Sequence, residues 1–203
     1  SNAVVGAINT VGVGAKINFG FGSSASRMFA TSNMIREGQT AASDAYRIQD
    51  LDAIMISLSG SGPTVIQRGV YAGPIGNNAG FGIDWTTADN VSYPAFALCI
   101  KGGTWDTQSV AAPTTAGTQT VTTPQGFAPK MVMAHSIDAT NELTNNNAAF
   151  AIGGATGIAA RACIWNGEAD AVAPSQAARS SSFNSLLQLR TVNAIGANSL
   201  PTK

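Results

Sequence analysis

The chain has 203 residues, a length that fits one large all-β domain or two small ones. Only 11% of the residues are charged, and 11 Lys and Arg residues balance 11 Asp and Glu residues. Because a chain without net charge has no field that attracts phosphate groups, this balance argues against nucleic-acid binding. No apolar run approaches the length that crosses a bilayer, and no targeting segment is visible, so we expect a soluble chain without a membrane partner.

The first three residues, Ser1-Asn2-Ala3, resemble the remnant of a cleaved purification tag and are left out of the fold prediction. The pattern that follows has a hydrophobic period of two, which is typical of strands with one buried face. The predicted strands lie at 16–21, 27–31, 54–58, 64–71, 80–85, 95–100, 119–122, 130–136, 148–152, 161–165 and 186–192. Clusters of Gly, Asn and Pro predict the turns between them, and residues 32–44 and 175–185 are predicted loops.

Two apolar runs carry a further prediction about burial. In the run at 95–100 large apolar residues alternate with small ones, so this strand is expected to have both faces covered. Cys99 lies in this run and Cys163 in a second apolar run, where a free thiol behaves as a small hydrophobe. We therefore expect two buried free cysteines, with a single disulfide between them as the less favoured alternative.

About a dozen short strands predict an all-β fold, an antiparallel β-sandwich of the jelly-roll-like type. The chain also matches itself, because Phe19-Gly20-Phe21-Gly22 recurs in kind as Phe150-Ala151-Ile152-Gly153. Three more pairs follow in the same order: 27–30 with 161–164, 45–47 with 177–179, and 54–56 with 186–188. The sequence therefore predicts two related halves that can pack as one domain: a β-rich module at 4–110, a linker at 111–117 and a shorter β-rich module at 118–203.

Four longer motifs carry a family resemblance. In chain order they are Gly-Phe-Gly-Ile-Asp-Trp-Thr-Thr-Ala-Asp at 80–89, Ala-Leu-Cys-Ile-Lys-Gly-Gly at 97–103, Pro-Thr-Thr-Ala-Gly-Thr-Gln-Thr-Val-Thr at 113–122 and Gly-Phe-Ala-Pro-Lys at 126–130. With these motifs the chain resembles phage and prophage virion proteins, tail-associated or otherwise structural, with duplicated β-rich modules. It departs from their pattern by an extra Thr123-Pro124-Gln125. The resemblance implies a virion location after production in the bacterial host cytoplasm, and it assigns no site.

The residues with reactive side chains form no catalytic pattern. His135 is the single histidine and lies on a predicted strand, where neighbouring residues point to opposite faces, so a nucleophilic triad is not expected. One histidine and two separated cysteines give no zinc-ligand spacing. Two carboxylate pairs could offer oxygens to Ca²⁺ but are interpreted as solvated turn residues: Asp50 with Asp52, and Glu168 with Asp170. We expect no enzyme activity, no cofactor and no metal site.

Glycoside hydrolysis is the enzyme class to weigh against this expectation, since it requires two carboxyl groups at a defined separation. The carboxylates considered are Asp84, Asp89, Glu142 and Glu168, and nothing in the sequence pairs them. Asp84 alternates with apolar residues on its strand and is expected to face solvent.

Aromatic residues offer the one positive indication of a ligand. We single out Trp105, Tyr71 and Tyr93 as candidate ligand-binding residues, because exposed aromatic rings can stack on sugars. Trp85 and Trp165 lie in alternating runs and are interpreted as core residues. Four arginines recur at matched positions in the two halves and are interpreted as fold residues that bridge loop carbonyls: Arg27, Arg161, Arg47 and Arg179.

Three function classes follow in order of preference. The first is a non-enzymatic virion structural protein, associated with tail or capsid, that assembles with other virion proteins or with itself as a homo-oligomer. The second is a carbohydrate- or receptor-binding adhesin module that contacts a surface glycan, and the third is a polysaccharide hydrolase. The low charge favours the first class, because few charges need to be desolvated at a protein interface.

Overall fold

The computed structural model describes residues 14–36, 44–60, 62–76, 80–91, 95–100, 102–171 and 177–188. The strands in these ranges are β1 (Gly14–Ser24), β2 (Arg27–Arg36), β3 (Asp44–Asp50), β4 (Met55–Leu58), β5 (Val65–Ile75), β6 (Gly80–Thr87), β7 (Val132–Ser136), β8 (Asn145–Asn146), β9 (Ala148–Gly157), β10 (Ala160–Glu168) and β11 (Ala177–Ser182). All strand pairs are antiparallel and no helix occurs among the described residues, so the predicted all-β class is confirmed. This part of the chain accordingly holds no helix that could span a membrane.

The strands form three sheets. Sheet A has the order β1-β2-β3-β8, sheet B the order β4-β5-β6, and sheet C the order β11-β10-β9-β7. Sheet A lies between the other two, because β2 contacts β4 of sheet B and also β9 of sheet C. This layering is compatible with the predicted β-sandwich, while jelly-roll connectivity stays a prediction.

Successive residues of each strand in sheet A point alternately toward sheet B and toward sheet C. The core between sheets A and B is formed by the buried side chains of Ala30, Met34, Ile48, Ala53, Ile56 and Leu58. Phe29 precedes Ala30 on β2 and points the other way, toward sheet C, where its ring stacks on His135. On β1, Phe19 likewise stacks on Phe150 of β9, with 5.0 Å between ring centroids. The period of two in the sequence therefore reflects two covered faces of one central sheet.

Sheets A and B are held together at two specific points. Gly20 of β1 lies so close to Ile54 that an added Cβ would be 1.8 Å from the Ile54 carbonyl oxygen. At the end of β3, the Asp50 carboxylate accepts hydrogen bonds from Arg68 of β5, at 2.6 Å from Nε and 3.1 Å from Nη2. Asp50 is buried, so the prediction of a solvated carboxylate is wrong; the partner that compensates its burial comes from a different sheet.

Two three-stranded meanders, β1-β2-β3 and β9-β10-β11, have the same pairing register. Gly20 lies opposite Ala30 and Ala30 opposite Asp50, while Gly153 lies opposite Cys163 and Cys163 opposite Ser182. A Cβ on Gly153 would be 1.8 Å from the Leu186 carbonyl oxygen, the same approach that Gly20 makes to Ile54. In this register Gly153 corresponds to Gly20. The sequence repeat aligned Gly153 with Gly22 instead, so the two alignments differ by two residues. The division into two halves and the domain boundaries stay predictions.

Some predicted strands are not formed. Residues 95–100 and 119–122 have no regular secondary structure, although an alternating pattern predicted strands at both places. Residues 186–188 also form no strand, and the rest of the strand predicted at 186–192 lies outside the described residues. Backbone pairing depends on a partner elsewhere in the chain, which a local pattern does not reveal.

Two predicted loops contain strand residues instead. The range 32–44 includes the end of β2 and the first residue of β3, and the range 175–185 includes all of β11. β11 consists of Ala, Arg and Ser, which lack the β-branched or aromatic side chains typical of strands. It forms a strand because its backbone pairs with β10 from Glu168 to Cys163.

The burial predictions for Cys and Trp are confirmed in the second half of the chain and wrong in the first. Cys163 and Trp165 are buried on β10, and both cysteines of the chain are free thiols. Cys99 is exposed, since no strand covers the segment that carries it. Trp85 is also exposed, because it lies on β6 at the edge of sheet B rather than in the core.

Candidate assembly surface

His135 lies on β7 in an aromatic environment between sheets A and C. Its Nε2 atom is 2.9 Å from the hydroxyl oxygen of Thr31, and its ring lies parallel to Phe29 at 4.9 Å. Phe19 and Phe21 complete the surroundings, with ring centroids 6.0 and 5.4 Å away. Burial among these rings lowers the pKa of His135 from 6.5 to about 4. The imidazole is therefore neutral near pH 7 and contributes to packing between the sheets.

The hydroxyl and carboxylate groups near His135 in sequence, and the carboxylates weighed for glycoside hydrolysis, form no common cluster in the described part of the chain. The Ser136 hydroxyl accepts a hydrogen bond from the backbone amide of Asp138 at 3.2 Å, and the Glu142 carboxylate accepts one from the amide of Leu51 at 2.6 Å. Asp84 is exposed on β6, as predicted. Among the described residues, no group of three or more His, Cys, Asp and Glu side chains could bind a metal ion.

Glu168 and Asp170 differ from their predicted solvated state. Glu168 is buried at the end of β10, where β9 and β11 flank it on both sides. The Asp170 carboxylate accepts a hydrogen bond from the backbone amide of Ala45 at 2.9 Å and so connects sheet C with β3. The prediction of a solvated turn residue is therefore wrong for Glu168, which is buried, whereas Asp170 lies half-buried in a turn and has a hydrogen-bond partner within the fold.

Of the three candidate ligand-binding aromatics, two lie among the described residues, one on a strand of sheet B and one in the connection between β6 and β7. Tyr71 lies half-buried on β5 with its ring 6.3 Å from Phe81. Trp105 is exposed in the connection between β6 and β7, and its indole NH donates to the carbonyl of Gly102. Tyr93 lies outside the described residues. Their role in ligand binding stays a prediction. A separate cavity beside Phe150 has a volume of about 20 Å³, which is room for about one water molecule.

The connection from β6 to β7 contains exposed apolar side chains. We call its residues 95–100 and 102–131 the arm; none of them belongs to a strand or helix. Phe96 is 97% exposed, Leu98 is 83% exposed, and Ile100 is about half exposed. Among the described residues, one backbone–backbone hydrogen bond lies within the arm, from the amide of Gly126 to the carbonyl of Thr123 at 2.9 Å. The prediction that 95–100 is covered on both faces is therefore wrong for the single chain.

The arm is anchored to sheet A by an ion pair. Arg27, the first residue of β2, donates to the buried carboxylate of Asp106, and Gln108 donates to the same carboxylate at 2.7 Å. Burial alone would raise the pKa of Asp106, but the hydrogen bonds from Gln108 and Arg27 and the charge of Arg27 outweigh it and lower this pKa. Gln108 also donates to the carbonyl of Thr122 at 3.1 Å. The arm is therefore held at a defined place on the protein.

The repeated arginines take two different roles. Arg47 donates to the carbonyl oxygens of Asn146 and Asn147 at 3.0 and 2.9 Å, as predicted for an arginine that bridges loop carbonyls. Arg27 instead binds the Asp106 carboxylate. This ion pair joins residues 79 positions apart, so no local signal in the sequence could have identified it.

The exposed arm has the chemistry of an interaction surface. Its described residues contain two charged side chains, Asp106 and Lys130, and the first of these is already paired. Contiguous apolar side chains on a protein surface mark contacts with another protein or a ligand. The alternation at 95–100 predicted burial within the fold, which is wrong. The signals that favour an exposed segment are the neighbouring Gly102-Gly103 and the Thr- and Gln-rich stretch that follows.

Comparison of the chain with protein-family models, with curated proteins and with solved structures finds no match. The resemblance to phage virion proteins therefore stays a prediction that rests on the motifs at 80–89, 97–103, 113–122 and 126–130.

Proposed function

We propose that this chain is a non-enzymatic structural protein that assembles with further copies of itself or with other proteins through its arm. The observation that carries the proposal is the near-complete exposure of Phe96 and Leu98 in a segment anchored to the fold. Burying one such side chain stabilises a contact by about 1.5–3 kcal/mol. A chain that keeps two of them in water gains stability from association.

The motif resemblance supports a virion as the place of assembly, with tail or capsid proteins as partners. The low charge agrees with this proposal, because an interface formed by neutral polar and apolar residues loses little solvation energy when it forms. The arrangement of carboxylates adds no argument for a hydrolase, since Glu168 is buried and Glu142 is bonded to a backbone amide.

A carbohydrate-binding adhesin is the second candidate. The exposed rings of Trp85 and Trp105 favour it, because an indole face in water can stack on a sugar ring. A glycan-binding screen with the Trp105→Ala variant as comparison tests this candidate: binding that requires Trp105 would support it, and a chain that binds no glycan would remove it.

The assembly proposal is tested by the solution mass of the chain, measured by light scattering coupled to size exclusion over a range of concentrations. We expect a defined oligomer for the wild type and a monomer for the double variant Phe96→Ser, Leu98→Ser. Phe183→Ser is the matched control, since Phe183 is 79% exposed outside the arm and its loss should leave the mass unchanged. A wild type that stays monomeric at all concentrations would overturn self-assembly.

A further inference from the structure

In the common register of the two meanders, one strand position is filled in sheet C and has no counterpart in sheet A among the residues that the structure describes. In sheet C, β9 is flanked by β10 on one side and by β7 on the other. In sheet A, the equivalent strand β1 pairs with β2, and no described strand pairs with its outer edge. β7 pairs with Ala151 to Ala155 of β9, and the register equates this stretch with residues 18–22 of β1.

β7 covers apolar and polar groups of the facing sheet. His135 projects from β7 opposite Ile152, lies on the ring of Phe29 and bonds to Thr31. Thr31 is 3% exposed as a result of this cover. The strand at this position therefore closes one side of the interface between sheets A and C.

On the opposite side of this interface, the described part of the chain provides no equivalent strand that covers the side chains. The register equates Thr31 of sheet A with Ile164 of sheet C, because Ala30 corresponds to Cys163. Ile164 is 54% exposed, whereas Thr31 is buried. Ile17, which precedes the stretch at 18–22 and faces sheet C, is also exposed. An apolar strand beside β1 would cover both isoleucines.

We propose that residues 95–100 of a second copy of this chain occupy this position as a strand on the outer edge of β1. This inference rests on the proposed function, since it names the surface to which the arm binds. Backbone hydrogen bonds to an open sheet edge provide affinity in such strand addition, and alternate side chains provide specificity. Phe96, Leu98 and Ile100 would point toward Ile164, as His135 points toward Thr31.

Three properties of residues 95–100 fit the open edge. The segment has six residues, close to the five of β7, and it carries no charge. Its large apolar side chains alternate with small ones, so the large ones can be buried on one face of the added strand while the small ones need little room on the other face. On β1, Lys16 is the sole charged residue between Gly14 and Ser24, so few charged groups lose their hydration when the contact forms.

The geometry also determines whether the assembly closes. If two copies exchange their arms, the result is a closed dimer with two equivalent contacts. If each copy donates its arm to the next, the result is a ring or a filament, depending on the rotation between neighbours. Both arrangements contain the same contact between β1 and the arm.

Cys99 provides a direct test, because it is an exposed free thiol within this segment. If Leu98 of the added strand points toward sheet C, the next residue, Cys99, points to the face of sheet A that is turned away from sheet C. Lys16 and Asn18 of β1 lie on this same face. We expect Lys16→Cys or Asn18→Cys to form an intermolecular disulfide with Cys99 under mild oxidation, seen on a non-reducing gel as a doubled mass for a closed dimer or as higher multiples for a ring or filament, and as a linked peptide by mass spectrometry. Adding Cys99→Ser should abolish this product.

The matched control places a cysteine on a different sheet edge. Ser181→Cys lies exposed on β11, at the far edge of sheet C, and should give no link to Cys99. If the wild type is oligomeric but neither β1 variant links to Cys99, the arm binds elsewhere and this inference fails while the proposed function stands. The same result is expected if residues 1–13 of the chain fill the edge of β1. A wild type that is monomeric at all concentrations overturns this inference together with self-assembly, and leaves assembly with other proteins as the remaining form of the proposed function.

Discussion

His135 lies at the interface of sheets A and C, and its surroundings keep the imidazole neutral. The rings of Phe19, Phe21 and Phe29 and the hydroxyl of Thr31 face it, and among the described residues no charged group is placed to compensate a proton on the imidazole. Burial lowers its pKa to about 4. Protonation of His135 therefore destabilises the folded state.

The sign of the resulting pH dependence follows from linkage. The unfolded chain binds this proton near pH 6.5 and the folded chain only near pH 4, so acidification between these values favours unfolding. We expect the free energy of unfolding to fall by about 2–3 kcal/mol over this range, with no further contribution from His135 below it. His135→Phe keeps an aromatic ring without the titrating group and should reduce the slope, as measured by urea unfolding at several pH values.

Thr31→Val is the matched control for this experiment, because it removes the hydrogen-bond partner and keeps the imidazole. The variant should be less stable at every pH and retain the pH dependence. An equal slope in the wild type and in His135→Phe would show that other groups, such as the carboxylates, dominate acid unfolding.

Little of this residue-level structure could be predicted from the sequence. The sequence placed His135 on a strand and gave no reason to expect catalysis, but Thr31 lies 104 positions earlier in the chain. Likewise Asp50 was interpreted as solvated because its partner, Arg68, reaches it only after β5 folds back on sheet A. Which partner compensates a buried polar group is decided by tertiary contacts.

At the level of strands, the two meanders pack against a following segment through the same kind of contact. Gly20 and Gly153 each face a backbone carbonyl oxygen at a distance that leaves no room for a side chain. A backbone oxygen cannot rotate away as the end of a flexible side chain can. Both strands must therefore move if a methyl group is added.

We expect Gly20→Ala and Gly153→Ala each to lower the free energy of unfolding by about 2–3 kcal/mol, because the added Cβ would displace the neighbouring backbone. Gly80→Ala on β6 is the control, since nothing lies within 4 Å of its Cβ position, and it should change stability far less. The measurement is denaturant unfolding of the three variants. If Gly153→Ala is neutral while Gly20→Ala is not, the two contacts are not equivalent.

Strands with an alternating pattern and a pairing partner in the fold were the part that the sequence predicted well. β1, β7, β9 and β10 lie close to their predicted positions because large apolar residues alternate along them with polar or small ones. β11 was missed because its residues have no apolar face, and 95–100 was overpredicted because an alternating pattern does not show whether another described strand pairs with it.

For the molecule as a whole, the chemistry of the arm determines how an assembly should respond to its solvent. Contacts made by Phe96, Leu98 and Ile100 are apolar, and the paired charge of Asp106 is already used within the chain. Salt screens attraction between exposed charges but does not weaken contacts of this kind.

We therefore expect the oligomer mass to stay constant between about 50 mM and about 1 M NaCl, a range over which the screening length falls from more than 10 Å to about 3 Å. Light scattering at fixed protein concentration measures this directly. Cooling should shift the equilibrium toward the monomer, because hydrophobic association weakens at low temperature. Dissociation on adding salt would instead indicate ionic contacts, for which the described residues of the arm offer Lys130 in addition to the paired Asp106, and would place the interface outside the arm.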